Sequence, residues 1–195
     1  RAPTYYRLQG AVAQDGQLTG WKNLLAAASA DGKKANYGAS YRPFDFPGKV
    51  IKNVLIEQSF VPSQTPTGAW RAPISNVYAF AEQSFIAELA HATGQDHEAF
   101  LLNAIGHQGH IQEDDPASLN TTRAHAVIKA ATRAAGWGRE LKEGRGLGLA
   151  FFLSHAGHIA EVAEVSVEGK SITVHDVWVA ADVGQVINQS GLENQ

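Results

Sequence analysis

A tryptophan and an arginine stand side by side in "TGAWRAP" (67–73), between Gly68 and Pro73. The preceding "VPSQTPT" has two prolines and no helical period, and the following "ISNVYAFAEQSFIAELAHATG" reads as an amphipathic helix. A guanidinium just ahead of a helix N-terminus adds its forked donors to that helix's free N–H groups. Together they suit a phosphate, a carboxylate or a metal-bound oxygen. Arg71 could equally stack on an aromatic ring or cap a local carbonyl.

Other stretches are weaker. "HQGH" (His107, His110) and "HAGH" (His155, His158) have the spacing of ligand pairs, but a metal needs further ligands that converge. "HQGHIQEDDP" reads as a polar loop over 107–117, expected to be mobile and to bind no metal. His155 and His158 read as strand-end surface. "GRGLGLAF" (144–151) offers Gly-x-Gly, yet it leads into a strand, so the helix-borne phosphate cradle is missing. Its glycines are expected to allow close backbone packing. Glu161 and Glu164, three apart on a strand, face opposite sides and make a poor carboxylate pair. Asp182 lies where a strand meets a loop, with no visible partner. Neither Gly-x-Ser-x-Gly nor His-Glu-x-x-His occurs.

The elements that must position these residues follow from period and punctuation. Tyr5–Ala13 and Leu18–Ala28 flank an Asp15-Gly16 turn and predict a β-hairpin. Residues 31–66 are rich in Gly, Pro, Asn and Ser and predict an irregular excursion holding one short strand, "KVIKNVLIE". Three helices follow. The first carries Val77, Phe80, Ala81, Phe85, Leu89 and Ala92 at helical spacing, with Gly94 as its stop. The second, "DHEAFLLNAI", opens on Asp96 and Glu98, which favour a helix N-terminus. The third runs from about Ser118 to Ala135, with Ala124, Val127, Ile128 and Ala131 on one face and Gly136 as C-terminal cap. The period then becomes two in "LGLAFFLSH", "HIAEVAEVSVE" and "SITVHDVWVAAD", the last two joined by "EGK". Strands, helices, strands is the order of an α+β fold in one layered unit, and a parallel sheet would count against it.

Composition sets outer limits. A chain of 195 residues can bury a core without disulfides or metals. It has no cysteine, so it offers neither disulfide, thiolate ligand nor thiol nucleophile. A net charge of −3, with both signs spread along the chain, lacks the basic stripe of a nucleic-acid binder. The longest apolar runs, such as "LGLAFFL", are too short for a membrane-spanning helix. Met is absent and the chain opens "RAPTYY", which fits either a processed start or a piece of a longer protein.

The segment "GAWRAPISNVYAFAEQSFIAELAHATGQDHEAFLLNAIG" resembles a signature of the xanthine oxidase/aldehyde oxidoreductase family, most nearly its isoquinoline 1-oxidoreductase β-subunit branch. Phe80, Ala81, Glu82, Phe85, Glu88, Leu89, Ala90, Gly94 and Asp96 fit it. "HIAEVAEVSVEGKSITVHDVWVAADVGQVINQSGLENQ" is similar to the same family's hairpin and its Asp-x-Gly-x-x-x-Asn loop, and "RAPTYYRLQGAVAQDGQLTGW" resembles its earlier hairpin. One departure is Gln189, where the family has proline after the asparagine.

The resemblance implies a molybdenum hydroxylase large subunit that binds molybdopterin, commonly as the cytosine dinucleotide. Such a subunit oxidises an N-heteroaromatic ring or an aldehyde with water as the oxygen source and passes electrons to an iron–sulfur partner subunit. Residues 1–195 would be part of its molybdopterin-binding domain: a hairpin (1–30), an excursion and cofactor-side loop (31–73), a helical segment (74–136) and antiparallel strands (146–182). Trp70, Arg71, Gly184 and Asn188 would face the cofactor, and Trp70 and Pro73 would shape the substrate pocket. The family's glutamate base falls beyond Gln195. This chain is therefore expected to be a portion of the subunit, inactive and free of molybdenum by itself, its partners the remainder of that subunit and the iron–sulfur chain. Either bacterial compartment, cytoplasm or periplasm, suits it. The competing class is a binding or interaction module that keeps the scaffold without the chemistry.

Overall fold

The computed structural model describes residues 3–41, 46–68, 71–72, 75–115 and 117–194, with Val77 described by its backbone alone. It holds two three-stranded sheets with helices between and beside them. The α+β expectation stands.

The first sheet begins with β1 (Thr4–Val12) and β2 (Leu18–Ser29), paired antiparallel. The hairpin closes at Asp15-Gly16, where the Asp15 carboxylate accepts from Gln17 N at 3.1 Å. The third strand, β3 (Asn53–Pro62), starts later than the apolar run suggests and lies parallel to β2, from Gly20↔Asn53 to Ser29↔Pro62. This sheet is therefore mixed, which the sequence reading did not anticipate. Its reason is length: a parallel neighbour needs a crossover of a dozen or more residues, and 30–52 provide one.

Three helices follow: α1 (Ser75–Ala92), α2 (His97–Ile105) and α3 (Thr121–Ala135). Asp96 caps α2 by accepting from Ala99 N at 2.9 Å, and Asn120 caps α3 by accepting from Arg123 N at 3.1 Å. Gly136 ends α3 in the left-handed region at φ 63°, as its position predicts. The face of α3 is the expected one, with Ala124, Val127, Ile128 and Ala131 buried.

The face of α1 is not. Phe80 is 79% exposed and Ala92 is exposed, whereas Ser75, Tyr78, Glu82, Gln83, Ile86 and Ala90 are buried. A polar stripe of this kind is invisible to a search for apolar periodicity. Two contacts explain it. Gln83 Oε1 accepts from the backbone N–H of Phe151 at 3.0 Å, and Ser75 Oγ donates to Ser154 Oγ at 2.8 Å. Half-buried Phe85 and Leu89 face the first sheet, Phe85 meeting Trp21 edge-on at 5.1 Å.

The second sheet is a plain antiparallel meander of β4 (Arg145–Ser154), β5 (Gly157–Glu168) and β6 (Ser171–Asp182). Its inner face, with Leu149, Phe151, Ala160 and Val162, packs under α3. Its outer face leaves Val167, Ile172, Val174, Val177 and Val179 more than half exposed. Gly146 and Gly148 do not serve close packing, because a Cβ at either would meet nothing within 4 Å. A short helix, α4 (Gln189–Glu193), follows where the sequence suggests only loop.

The reassigned face of α1 gives a direct test. Ile86→Ala should cost about 2–5 kcal/mol in chemical denaturation, as a fully buried aliphatic does. Phe80→Ala should stay within about ±0.5 kcal/mol.

Candidate functional site

The chemistry-bearing residues gather at one end of the second sheet, around the two-residue turn that joins β4 to β5. Ser154 and Gly157 are the last pair of that hairpin, and His155 and Ala156 form its turn with φ of 51° and 66°. Such a turn normally recruits Asn-Gly or Gly-Gly. Here Ser154 Oγ lies 2.8 Å from His155 Nδ1 and receives the Ser75 hydroxyl, tying the turn to the start of α1.

Arg71 approaches from that side. It is exposed, and its backbone carbonyl accepts from Asn76 Nδ2 at 2.9 Å. Asn76 N in turn donates to Ala72 O at 3.2 Å, and Ala72 has φ 54°. The loop is thus bent and fastened to the first turn of α1, as a rigid side-chain platform requires. Trp70 and Pro73 lie outside the described residues.

The loop after β6 meets the same turn from the other side. A Cβ placed on Gly157 would come 3.5 Å from Val183 Cγ1 and 4.0 Å from Asp182 O. Asp182 has a partner after all: the Arg123 guanidinium grips it as a fork, Nε to Oδ2 and Nη2 to Oδ1, both at 2.8 Å. Arg123 first, and the Gly184 N–H second, hold the Asp182 carboxyl down to about 2. Gly184 donates to Asp182 Oδ1 at 3.1 Å and turns at φ 80°, where only glycine is at ease. Asn188 is the N-cap of α4, its Oδ1 accepting from Gly191 N and Ser190 Oγ at 2.9 and 3.0 Å. The residue is exposed, and of its side-chain amide only the oxygen is engaged by described residues.

His158 is the largest departure from expectation. It is not strand-end surface but fully buried, and its Nε2 accepts from Asn120 N at 3.0 Å. The imidazole is therefore neutral, carrying its proton on Nδ1. Burial first, then the Arg123 charge, push its pKa down to about 4, against the pull of the Ala156 backbone and Asp182. A buried histidine next to a helix cap could have been suspected from the pairing of Asn120 with the helix start, but nothing local to "HAGH" signals it.

The other histidine pair is divided. His110 bridges to Asn120, and His107 packs its ring 4.5 Å from that of His125 on α3. The polar run between them is tied at its neck by Thr121 N to Gly109 O and Ile111 N to Leu119 O, at 2.8 and 3.0 Å. Among the described residues no three His, Asp or Glu side chains cluster as a metal site. Glu161 and Glu164 do face opposite sides of the sheet: Glu161 is exposed, and Glu164 is buried between Arg139 and Arg145.

The sequence matches no protein-family model and no curated protein. Among solved structures, the chain is similar to the aldehyde oxidoreductase of Desulfovibrio gigas in a form activated with sodium dithionite and sodium sulfide. The identity is 16% and the TM-score 0.48, over 90% of this chain and 21% of that one. The chain spans about a fifth of that protein's length.

Neutral His158 generates a pH dependence. Its folded pKa of about 4 lies below the ~6.5 of an unfolded histidine, so the unfolded state binds the extra proton first. Its contribution is full above about pH 6.5 and is lost as pH falls toward 4. Thermal melts should fall across that window, and His158→Gln, which keeps an acceptor for Asn120, should flatten the fall. Asp182 acts only lower, between its ordinary value near 3.9 and about 2.

Proposed function

We propose that this chain is part of the molybdopterin-binding subunit of a molybdenum hydroxylase, an oxidoreductase that acts on an N-heteroaromatic ring or an aldehyde. The observation that carries the reading is convergence. The two loops that the sequence resemblance assigns to the cofactor, one with Arg71 and one with Gly184 and Asn188, flank the same turn at one end of the second sheet. They come from positions more than a hundred residues apart in the chain.

The donors there suit an oxygen-rich anion. Arg71 brings a permanent cation with a planar fork, and Asn188 keeps its amide N–H groups while its oxygen caps α4. Gly184 leaves its surroundings open, since a Cβ there would meet nothing within 4 Å. The Asp182 carboxylate, which would repel an anion, is neutralised by Arg123. When bound, molybdopterin supplies the two-electron oxidation in which water provides the oxygen. The role of this chain's residues is to grip and orient it: Arg71 at the pterin edge and Asn188 on the facing side, where Gly184 leaves room for the cofactor to approach the backbone. Trp70 and Pro73 belong, on this reading, to the substrate pocket. The cytosine dinucleotide form of the cofactor, an iron–sulfur partner subunit and an isoquinoline-type substrate are its finer particulars.

The test is Arg71 in the full-length parent. A lost charge-assisted hydrogen bond to a cofactor oxygen corresponds to roughly 1.5–3 kcal/mol, or about ten- to more than a hundred-fold in turnover or molybdenum content. Arg71→Ala should show that loss with stability changed by no more than about 0.5 kcal/mol. Arg71→Lys should recover only part of it, because an ammonium lacks the planar fork. Full activity and metal content in Arg71→Ala would remove the cofactor role.

A further inference from the structure

A groove of about 240 Å³ runs between α1 and the outer face of the second sheet, bordered by Asn76, Ala79, Ala150, Phe152, Ile159 and Glu161. Its walls are almost wholly apolar, and Glu161 supplies the one charge among the residues that line it. That carboxylate stands on the central strand, in register with Ala150 on one side and Val179 on the other. It makes no ion pair or hydrogen bond with any described residue, unlike Glu164 on the opposite face, which two arginines hold. A carboxylate set among aliphatic neighbours, beside an aromatic ring, is complementary to a cation that carries apolar surface of its own.

We infer that the groove is a binding site for a small organic ammonium ion, a protonated primary amine on a single aromatic ring or short aliphatic body. The ammonium pairs with Glu161, and the body lies against Phe152, Ile159 and Ala79. The volume admits one ring and little more, at the small end of ligand pockets. Gln83 also lines the groove with its oxygen committed to the Phe151 N–H. The Asn76 amide oxygen there is buried without a hydrogen-bond partner among the described residues, an acceptor that a second ammonium N–H can reach. The groove adjoins the Arg71 loop, since Ala72, Ser75 and Ser154 line it as well. Its charge preference is opposite to the one proposed for Arg71, and the inference does not rest on the molybdenum hydroxylase reading.

The experiment is calorimetric and ligand-observed NMR titration of the 195-residue chain with benzylammonium, benzyl alcohol and benzoate. Benzylammonium should bind roughly tenfold or more tightly than benzyl alcohol, with benzoate weakest. Glu161→Gln, an exposed substitution, should abolish that preference without lowering the melting temperature. Ala79→Trp, which fills the groove, should remove binding of both ring compounds. The inference is overturned if benzylammonium does not bind below about 10 mM, if the alcohol binds as well as the ammonium, if Glu161→Gln keeps the preference, or if Ala79→Trp binds like the parent chain.

Discussion

Each sheet has three strands and only one well-covered face, and α1 is the element the two sheets share. It lays Phe85 and Leu89 toward the first sheet and runs Ser75 and Gln83 along β4, the edge of the second. An edge strand leaves backbone N–H groups pointing outward, and one that is buried without an acceptor costs about 1–3 kcal/mol. Gln83 meets that demand at Phe151. The need to satisfy β4 explains why a helix in the middle of the molecule buries a polar stripe. Glu82, on the same stripe, is fully enclosed near Tyr6, whose phenol is pushed up by burial first and then by its neighbours Tyr78 and Glu82. The edge-on rings of Tyr6, Tyr41 and Tyr78 fill the space beside it.

The second sheet is fixed to the helix layer at both ends by charge. At one end Arg123, in the first turn of α3, grips Asp182 at the end of β6. At the other, Arg139 and Arg145 both reach Glu164, and Arg145 first and Arg139 second hold its carboxyl below the usual range. A buried carboxylate cannot stay ionised without such partners, and two guanidinium forks satisfy more of its lone pairs than one. Replacing either arginine would leave half of a charged cluster behind, which is the costly direction. The bulge in β6 beside Glu164 belongs to this arrangement, since it lets Val174 and Val177 keep the outer face while Asp176 stays opposite Glu164.

How much of this is legible in the residues depends on whether a feature is local. The Asp15-Gly16 hairpin, the start of α2 at Asp96, the Gly136 stop and the Gly169 turn are local, and each stands where the sequence puts it, although Asp96 serves as the cap of α2 and not as part of its first turn. The α3 face is local too, because its buried residues are apolar and periodic. The parallel pairing of β3 is not, since register across a crossover leaves no mark in either strand. Nor is the burial of His158, Glu82 and Glu164, each decided by partners from 19 or more residues away or by a neighbouring sheet. For the candidate site, Arg71, Gly184 and Asn188 were readable as residue types in loops. The approach of the Asp182–Val183 end of the second loop to the turn that Ser75 ties to α1, and the Arg123–Asp182 fork that quiets the nearby carboxylate, required the fold.

Backbone strain is distributed unevenly in a way that bears on that site. Among the described residues, the non-glycine positions with positive φ are Ala72, His155 and Ala156, and all of them belong to the end of the second sheet where the loops meet. The opposite hairpin, between β5 and β6, meets the same geometric need with Gly169 at φ 60° and carries no such cost. A non-glycine residue held there costs on the order of 1–3 kcal/mol, and it persists only where the surroundings over-determine it. They do so here. Ser75 binds Ser154, Ser154 binds His155, Asn76 holds the Arg71 carbonyl, and buried His158 fixes the Asn120 cap just behind the turn. Glycine at 72 or 156 would have relieved the strain at the expense of a floppier loop. A chain that instead spends hydrogen bonds to hold alanine and histidine in these conformations keeps this end of the sheet in one shape before any ligand arrives.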